Sequence, residues 1–154
     1  MASGPPVVGV VGMKALSRDI AKLAEDERSP LYAAIKQAGL TAANPVAART
    51  RGAIPQNDRS SGRLMRDVRV SATRTGAAVR MGRASIPWAG WVEFGGDRPD
   101  GSSRDYIPTG RYLFPAAHDL GPEAGRLYSD AINHALNASG VWTNTTSDGS
   151  QVHD

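Results

Sequence analysis

Three histidines, three aspartates in one loop and a glutamate flanked by apolar and aromatic residues are the side chains of this chain that could carry chemistry. His118, His134 and His153 lie sixteen and nineteen residues apart with no carboxylate at ligand spacing, so no zinc site is expected. The first two read as solvated helix positions. Asp97, Asp100 and Asp105 invite calcium, yet Asp-x-x-Asp-Gly followed by Ser-Ser-Arg lacks the alternating oxygen ligands and closing glutamate of the usual loop. Glu93 could serve as a buried acid, but a carboxylate with no partner acid or base more often caps backbone groups or pairs with arginine. The chain has no Gly-x-x-x-x-Gly-Lys, Gly-x-Gly-x-x-Gly or Gly-x-Ser-x-Gly sequence. Without cysteine it has no disulfide, thiol nucleophile or thiolate metal site. The expectation is a protein that packs against other macromolecules, with no catalytic residues, metal or cofactor.

Charge is unevenly spread. The net charge is +3, yet residues 49–83 hold nine arginines against Asp58 and Asp67, which leaves that segment at +7 and the remainder at −4. Arginine's planar fork suits a phosphate or an acidic protein surface. Six of the nine aromatic residues fall between Trp88 and Phe114. Arginine and aromatic side chains are the types that most often anchor interfaces. The candidate interface residues are therefore Arg63, Arg66, Arg69, Arg80, Arg83, Trp88, Trp91, Glu93, Phe94 and Tyr112. For the aromatic members, core and interface both stay open. A single-strand nucleic-acid binder interleaves stacking rings with a basic groove, whereas here the two residue classes occupy different segments.

The elements that must position these residues follow from periodicity. At 154 residues one hydrophobic core is expected. Residues 1–12 are apolar but lack a basic leader, so no signal peptide is expected, and no run of about 20 apolar residues suggests a membrane span. A reducing cytoplasm suits the composition. Met13, Leu16, Ile20 and Leu23 predict a helix over residues 13–26. Ser29-Pro30 starts a second helix, which Gly39 is expected to end. Residues 44–61, rich in Pro, Arg, Gly, Asn, Asp and Ser, read as a long mobile loop that could order on docking.

Alternation then predicts two half-buried strands, with Val68, Val70 and Ala72 facing Met81, Val79 and Ala77. Thr73-Arg74-Thr75-Gly76 suits a four-residue hairpin loop with glycine in the left-handed region. The same register sets Arg69 opposite Arg80, an unfavourable pairing that calls for an anionic neighbour, either Asp67 or another subunit. Residues 97–105 read as a surface loop without packing, and Tyr112 to Phe114 as a short strand. Ala124, Leu127, Tyr128, Ala131, Ile132, Ala135 and Leu136 predict a long helix starting after Gly121-Pro122. The fold class is α+β: a small antiparallel sheet built around a β-hairpin, packed against an N-terminal helix and a long C-terminal helix, with long loops. Residues 1–138 form one domain and residues 139–154 a flexible polar tail.

Three stretches together resemble the head-tail joining, or tail-completion, proteins of long-tailed bacteriophages. Ala53-Ile-Pro55, Ser61-Gly-Arg-Leu64 and Val68-Arg-Val70 are similar to that family's Ala-Pro, Thr-Gly-x-Leu and strand of alternating valines. Val79-Arg-Met-Gly82, Ile86-Pro-Trp-Ala89 and Val92-Glu-Phe-Gly95 resemble its strand, Pro-Tyr-Ala and Val-Glu-Phe-Gly. Tyr112-Leu-Phe-Pro-Ala-Ala117 is like its Phe-Leu-x-Pro-Ala before a long helix. Ser61 stands where the family usually has Thr, and Trp88 where it has Tyr. The 97–105 loop is longer than the family pattern.

The resemblance implies a non-enzymatic subunit of the virion neck, assembled in the bacterial host cytoplasm. Its partners would be copies of itself in a ring, hexameric by the resemblance, and other neck and tail proteins: portal adaptor, stopper, tail tube or terminator. A passing contact with genomic DNA is compatible with it, and no membrane is involved. Ring contacts are heterologous, so the arginine-bearing hairpin could meet Asp19, Glu25, Asp26 or Glu27 of the next copy. The rival reading is a DNA-binding accessory protein that uses residues 49–83 on phosphates, with a steep salt dependence as its signature.

Overall fold

The computed structural model describes residues 5–12, 22, 26–56 and 59–140. The helix expected over residues 13–26 lies outside them apart from Lys22 and Asp26, as do residues 141–154 of the expected tail.

Helix α1 (Pro30–Ala53) starts as its sequence dictates: the Ser29 hydroxyl accepts from the Tyr32 N–H at 3.1 Å, and proline occupies the first turn. It does not stop at Gly39. It runs through Gly39 and Pro45 because its face is buried along its whole length, by Leu31, Ile35, Ala38, Ala42, Ala43, Val46 and Ala47. Gly39 marks a close approach: a Cβ there would stand 3.1 Å from that of Ala72 and 3.2 Å from that of Ala77. Thr50, also buried, donates its hydroxyl to the Val46 carbonyl at 2.8 Å, four residues back. The mobile loop expected over residues 44–61 is thereby corrected. Most of it is the second half of α1, Ile54 is buried, and helix α2 (Arg59–Arg66) follows.

Strands β2 (Arg69–Thr73) and β3 (Gly76–Arg80) form the predicted hairpin, with Ala72 opposite Ala77, Val70 opposite Val79 and Arg69 opposite Arg80. The turn is tighter than expected. Thr73 pairs with Gly76, leaving only Arg74 and Thr75 in the loop, and neither these residues nor Gly76 has a positive φ. Strand β1 (Val7–Gly12), which sequence reading missed, pairs antiparallel with the other edge of β3 and gives the order β1-β3-β2. Its register slips between Gly9 and Val11, a bulge that accommodates Val10.

Helix α3 (Ala89–Phe94) and the two-residue strands β4 (Gly96–Asp97) and β5 (Ser103–Arg104) lead to helix α4 (Leu113–Ala138). Two expectations are corrected here. Tyr112 to Phe114 is the start of α4 and not a strand, and α4 passes through Pro122 instead of beginning after it. Leu113 and Ala116 are buried in the first turns, so packing upstream of the proline sustains the helix across the hydrogen bond that the proline removes.

Helices α1 and α4 pack side by side in opposite directions. The first half of α1 (Leu31, Ile35, Ala38, Ala42) meets the last turns of α4 (Ala124, Tyr128, Ile132, Leu136). The second half of α1 joins Leu113, Ala116, the hairpin, Leu64 and Met81 in the main core. The architecture is the α+β arrangement that the sequence predicts, although the helix that packs on the hairpin is α1. No helix among the described residues is long and apolar enough to cross a membrane.

Candidate functional site

Glu93 is fully buried at the end of α3, and its carboxylate accepts from three consecutive backbone N–H groups at the start of α4. Oε2 lies 3.1 Å from the Tyr112 nitrogen and 3.0 Å from that of Leu113, while Oε1 lies 3.1 Å from that of Phe114. The first residues of any helix leave N–H groups without internal partners. No side-chain cap comes from Tyr112 itself, so a carboxylate about twenty residues upstream supplies it and places a negative charge at the positive end of the helix. Of the three sequence readings of Glu93, the backbone cap is the one observed. Gly110 makes room for it: its φ is +74°, and a Cβ there would collide with Glu93 Oε1.

The aromatic residues divide between packing and clamping. Phe94 and Phe114 meet at 5.3 Å between ring centroids, inclined at 52°. The Trp91 indole donates to the Gly96 carbonyl at 2.7 Å and lies beneath two guanidiniums, Arg98 at 5.1 Å and Arg104 at 5.8 Å from the ring centre. Arg104 also donates to the Val92 carbonyl and the Tyr112 hydroxyl, both at 3.2 Å. The 97–105 segment is therefore a small packed hairpin and not the unpacked loop expected of it. At its tip, the hydroxyl and N–H of Ser102 bond to Asp100 and hold its carboxyl below the usual range. Tyr106 and Ile107 just beyond it are exposed.

The arginines of the 49–83 segment converge in part. Arg63 and Arg66, three residues apart on α2, project from the same face. With Asp67, Arg83, Ser85 and Ile86 they line a cleft of about 200 Å³. Arg63 stands over the Trp88 ring at 5.6 Å from its centre. Asp67 is only 3% exposed and forms an ion pair with Arg83 through Oδ1. Its Oδ2 has no hydrogen-bond partner, with Arg69 Nη2 3.7 Å away. Arg69 turns aside from Arg80: its guanidinium donates to the carbonyls of Asp67 at 3.3 Å and Gly82 at 2.8 Å. This relieves the like-charge pairing within the subunit. The Arg80 side chain makes no hydrogen bond or ion pair among the described residues.

A larger groove of about 410 Å³ opens between the start of α1 (Pro30, Leu31, Ala34) and the end of α4 (Ala135, Ala138). Among the described residues on its wall, His134 is the one titratable side chain. Among the described residues no cluster of three histidines or carboxylates could hold a metal ion.

The structure thus brings together Arg63, Arg66, Arg83 and Trp88 on one side, and Trp91, Glu93, Phe94 and Tyr112 on the other. Arg69 lies beside the first group, and Arg80 belongs to neither. Sequence reasoning named Asp67 as an anionic neighbour for the facing arginines, and Asp67 does pair with Arg69 at 3.7 Å; what it missed is the pairing of Asp67 with Arg83 at the centre of the cleft, although the hairpin register contained the signal. Continued two residues beyond Arg69–Arg80, it sets Asp67 across from Gly82 and next to Arg83. Gly110, Arg98 and Arg104 left no such signal. No protein-family model, curated protein or solved structure matches the chain.

Proposed function

We propose that this chain is a non-enzymatic structural subunit of a bacteriophage head–tail connector, a tail-completion or terminator-like ring protein between the capsid portal complex and the tail tube. The observation that carries the reading is the joining of two segments that bear the resemblance. Val92-Glu-Phe-Gly95 and Tyr112-Leu-Phe-Pro-Ala-Ala117 meet through the Glu93 carboxylate and the Phe94–Phe114 contact. Gly95, at φ +83°, lets the Asp105 backbone approach where any Cβ would collide. These motif residues depend on one another physically, which supports reading them as one family signature and not as separate coincidences. In such a ring the Arg80 side chain, with no partner in its own subunit's described residues, is free to meet an acidic patch of the next copy.

Immunogold labelling of intact phage particles, with an antibody against this chain, tests the proposal. Label at the junction of head and tail is the expected result. Particles that carry no label, or label elsewhere, would overturn it.

A further inference from the structure

We propose that the exposed Tyr106-Ile107-Pro108 turn of one copy inserts into the apolar groove between α1 and α4 of the next, a head-to-tail contact. The inference deepens the ring reading and rests on it for closure into a ring, while the contact itself stands on the geometry of the two surfaces.

The turn is apolar, exposed and fixed. Tyr106 is 66% and Ile107 36% exposed, two of three large apolar side chains in that state among the described residues. Their backbone is nevertheless held at several points. The Ile107 N–H donates to the Phe94 carbonyl at 2.7 Å, and the Gly110 N–H to the Ile107 carbonyl at 3.0 Å, closing a turn with Pro108 in its second position. Arg111 donates to the Asp105 carbonyl just before it. A surface already fixed in this way loses little freedom on binding.

The groove offers the matching shape and chemistry. Pro30, Leu31, Ala34, Ala131 and Ala135 give it apolar walls, and Gln37 and His134 are exposed beside them. Its volume of about 410 Å³ is enough for the phenol ring and the branched side chain that follows. Tyrosine suits such a wall, with an apolar body and a hydroxyl that Gln37 or His134 can bond.

A copy cannot fill its own groove. Gly110 stays against Glu93 and Phe114 at the start of α4, and the four residues back to Tyr106 reach at most about 14 Å. Ala135 lies twenty-two residues after Leu113 along α4, about 33 Å away. The two surfaces therefore face opposite ends of the subunit and meet only between copies, as one patch against a different one. Every copy supplies both, so they are always present at equal concentration.

Sedimentation velocity of the whole chain at about 1–100 µM, a range that brackets a micromolar contact, tests the proposal. The mass should grow with concentration. Tyr106→Ser and Ala138→Arg, both at exposed positions, should each weaken association at least about tenfold. An equal mixture of the two variants pairs an intact groove with an intact turn, so association should return and stop at two copies. Val7→Ser, at the third exposed apolar side chain, should leave it unchanged. If Ala138→Arg disturbs α4, Ala34→Arg blocks the groove from α1. A parent chain that stays monomeric, as it would if another segment or another protein filled the groove, overturns the proposal; so does unchanged association of Tyr106→Ser, or a mixture that does not associate. Particles labelled at the neck whose Tyr106→Ser subunits still associate would remove this inference alone, and unlabelled necks with the contact intact would remove the neck reading alone.

Discussion

Replacing Glu93 by glutamine tests whether a remote carboxylate holds the start of α4. The substitution keeps shape and volume but removes the charge and one of two acceptors. Leu113 N–H bonds to Oε2 alone and Phe114 N–H to Oε1 alone, so either orientation of the amide turns its NH₂ toward a backbone donor. At least one buried N–H then loses its partner, at about 1–3 kcal/mol. The N–H that keeps an acceptor exchanges a charged bond, worth about 1.5–3 kcal/mol, for a neutral one of about 1 kcal/mol. The expected loss is about 2–4 kcal/mol, a fall in Tm of roughly 5–15 °C for a chain of this size. Urea unfolding with an unchanged m-value would measure it. Glu93→Ala should lose more, about 3–5 kcal/mol, because it leaves three N–H groups to any water that enters. A Glu93→Gln protein within 0.5 kcal/mol of the parent, about the size of an ordinary surface substitution, would refute the capping argument.

Ile132→Ala, at a fully buried position where α4 meets α1, should lower stability by about 2–5 kcal/mol in the same denaturation assay. Burial raises the Tyr128 phenol above its ordinary value of 10.0. The neutral form is thus favoured in the folded state, and its contribution is complete below about pH 10 and lost as pH rises from there through the folded value. Absorbance titration should show one of the four tyrosines ionising later than the rest, with stability declining over that alkaline range. Arg80→Glu should fold normally, since it removes a like-charge pairing worth some tenths of a kcal/mol, yet abolish assembly visible by electron microscopy. Arg69→Glu should instead unfold more readily, because it loses its bonds to the Asp67 and Gly82 carbonyls and sets a second carboxylate beside Asp67.

What could be read in advance was whatever depended on local period. The β2–β3 register follows from strict alternation, because a slip of one residue would turn every valine outward. The start of α1 follows from Ser29-Pro30. What escaped was whatever distant packing decides. Gly39 and Pro45 carry stop signals when read alone, yet Gly39 lies where the helix meets Ala72 and Ala77, and a glycine is what that contact requires. Tyr112 to Phe114 looks extended until Glu93 supplies the missing acceptors. Val7, Val8, Val10 and Val11 do not alternate, since a bulge interrupts their pairing with β3, so the third strand left no period-two pattern. The candidate site divides in the same way. Its arginines and aromatic residues were visible by type, whereas the buried acid at the centre of the cleft was visible only through the register.

The antiparallel packing of α1 on α4 also sets an order on biosynthesis. Leu31 and Ile35 leave the ribosome early, but the residues that cover them, Ala124, Tyr128, Ile132 and Leu136, are made much later. Until then a nascent chain with a complete hairpin and a capped α4 start still displays an apolar stripe along the first half of α1. Such a chain is a natural client for a holding chaperone. A message truncated before codon 124 would yield a product whose stripe is never covered, and such a product is a ready substrate for proteases.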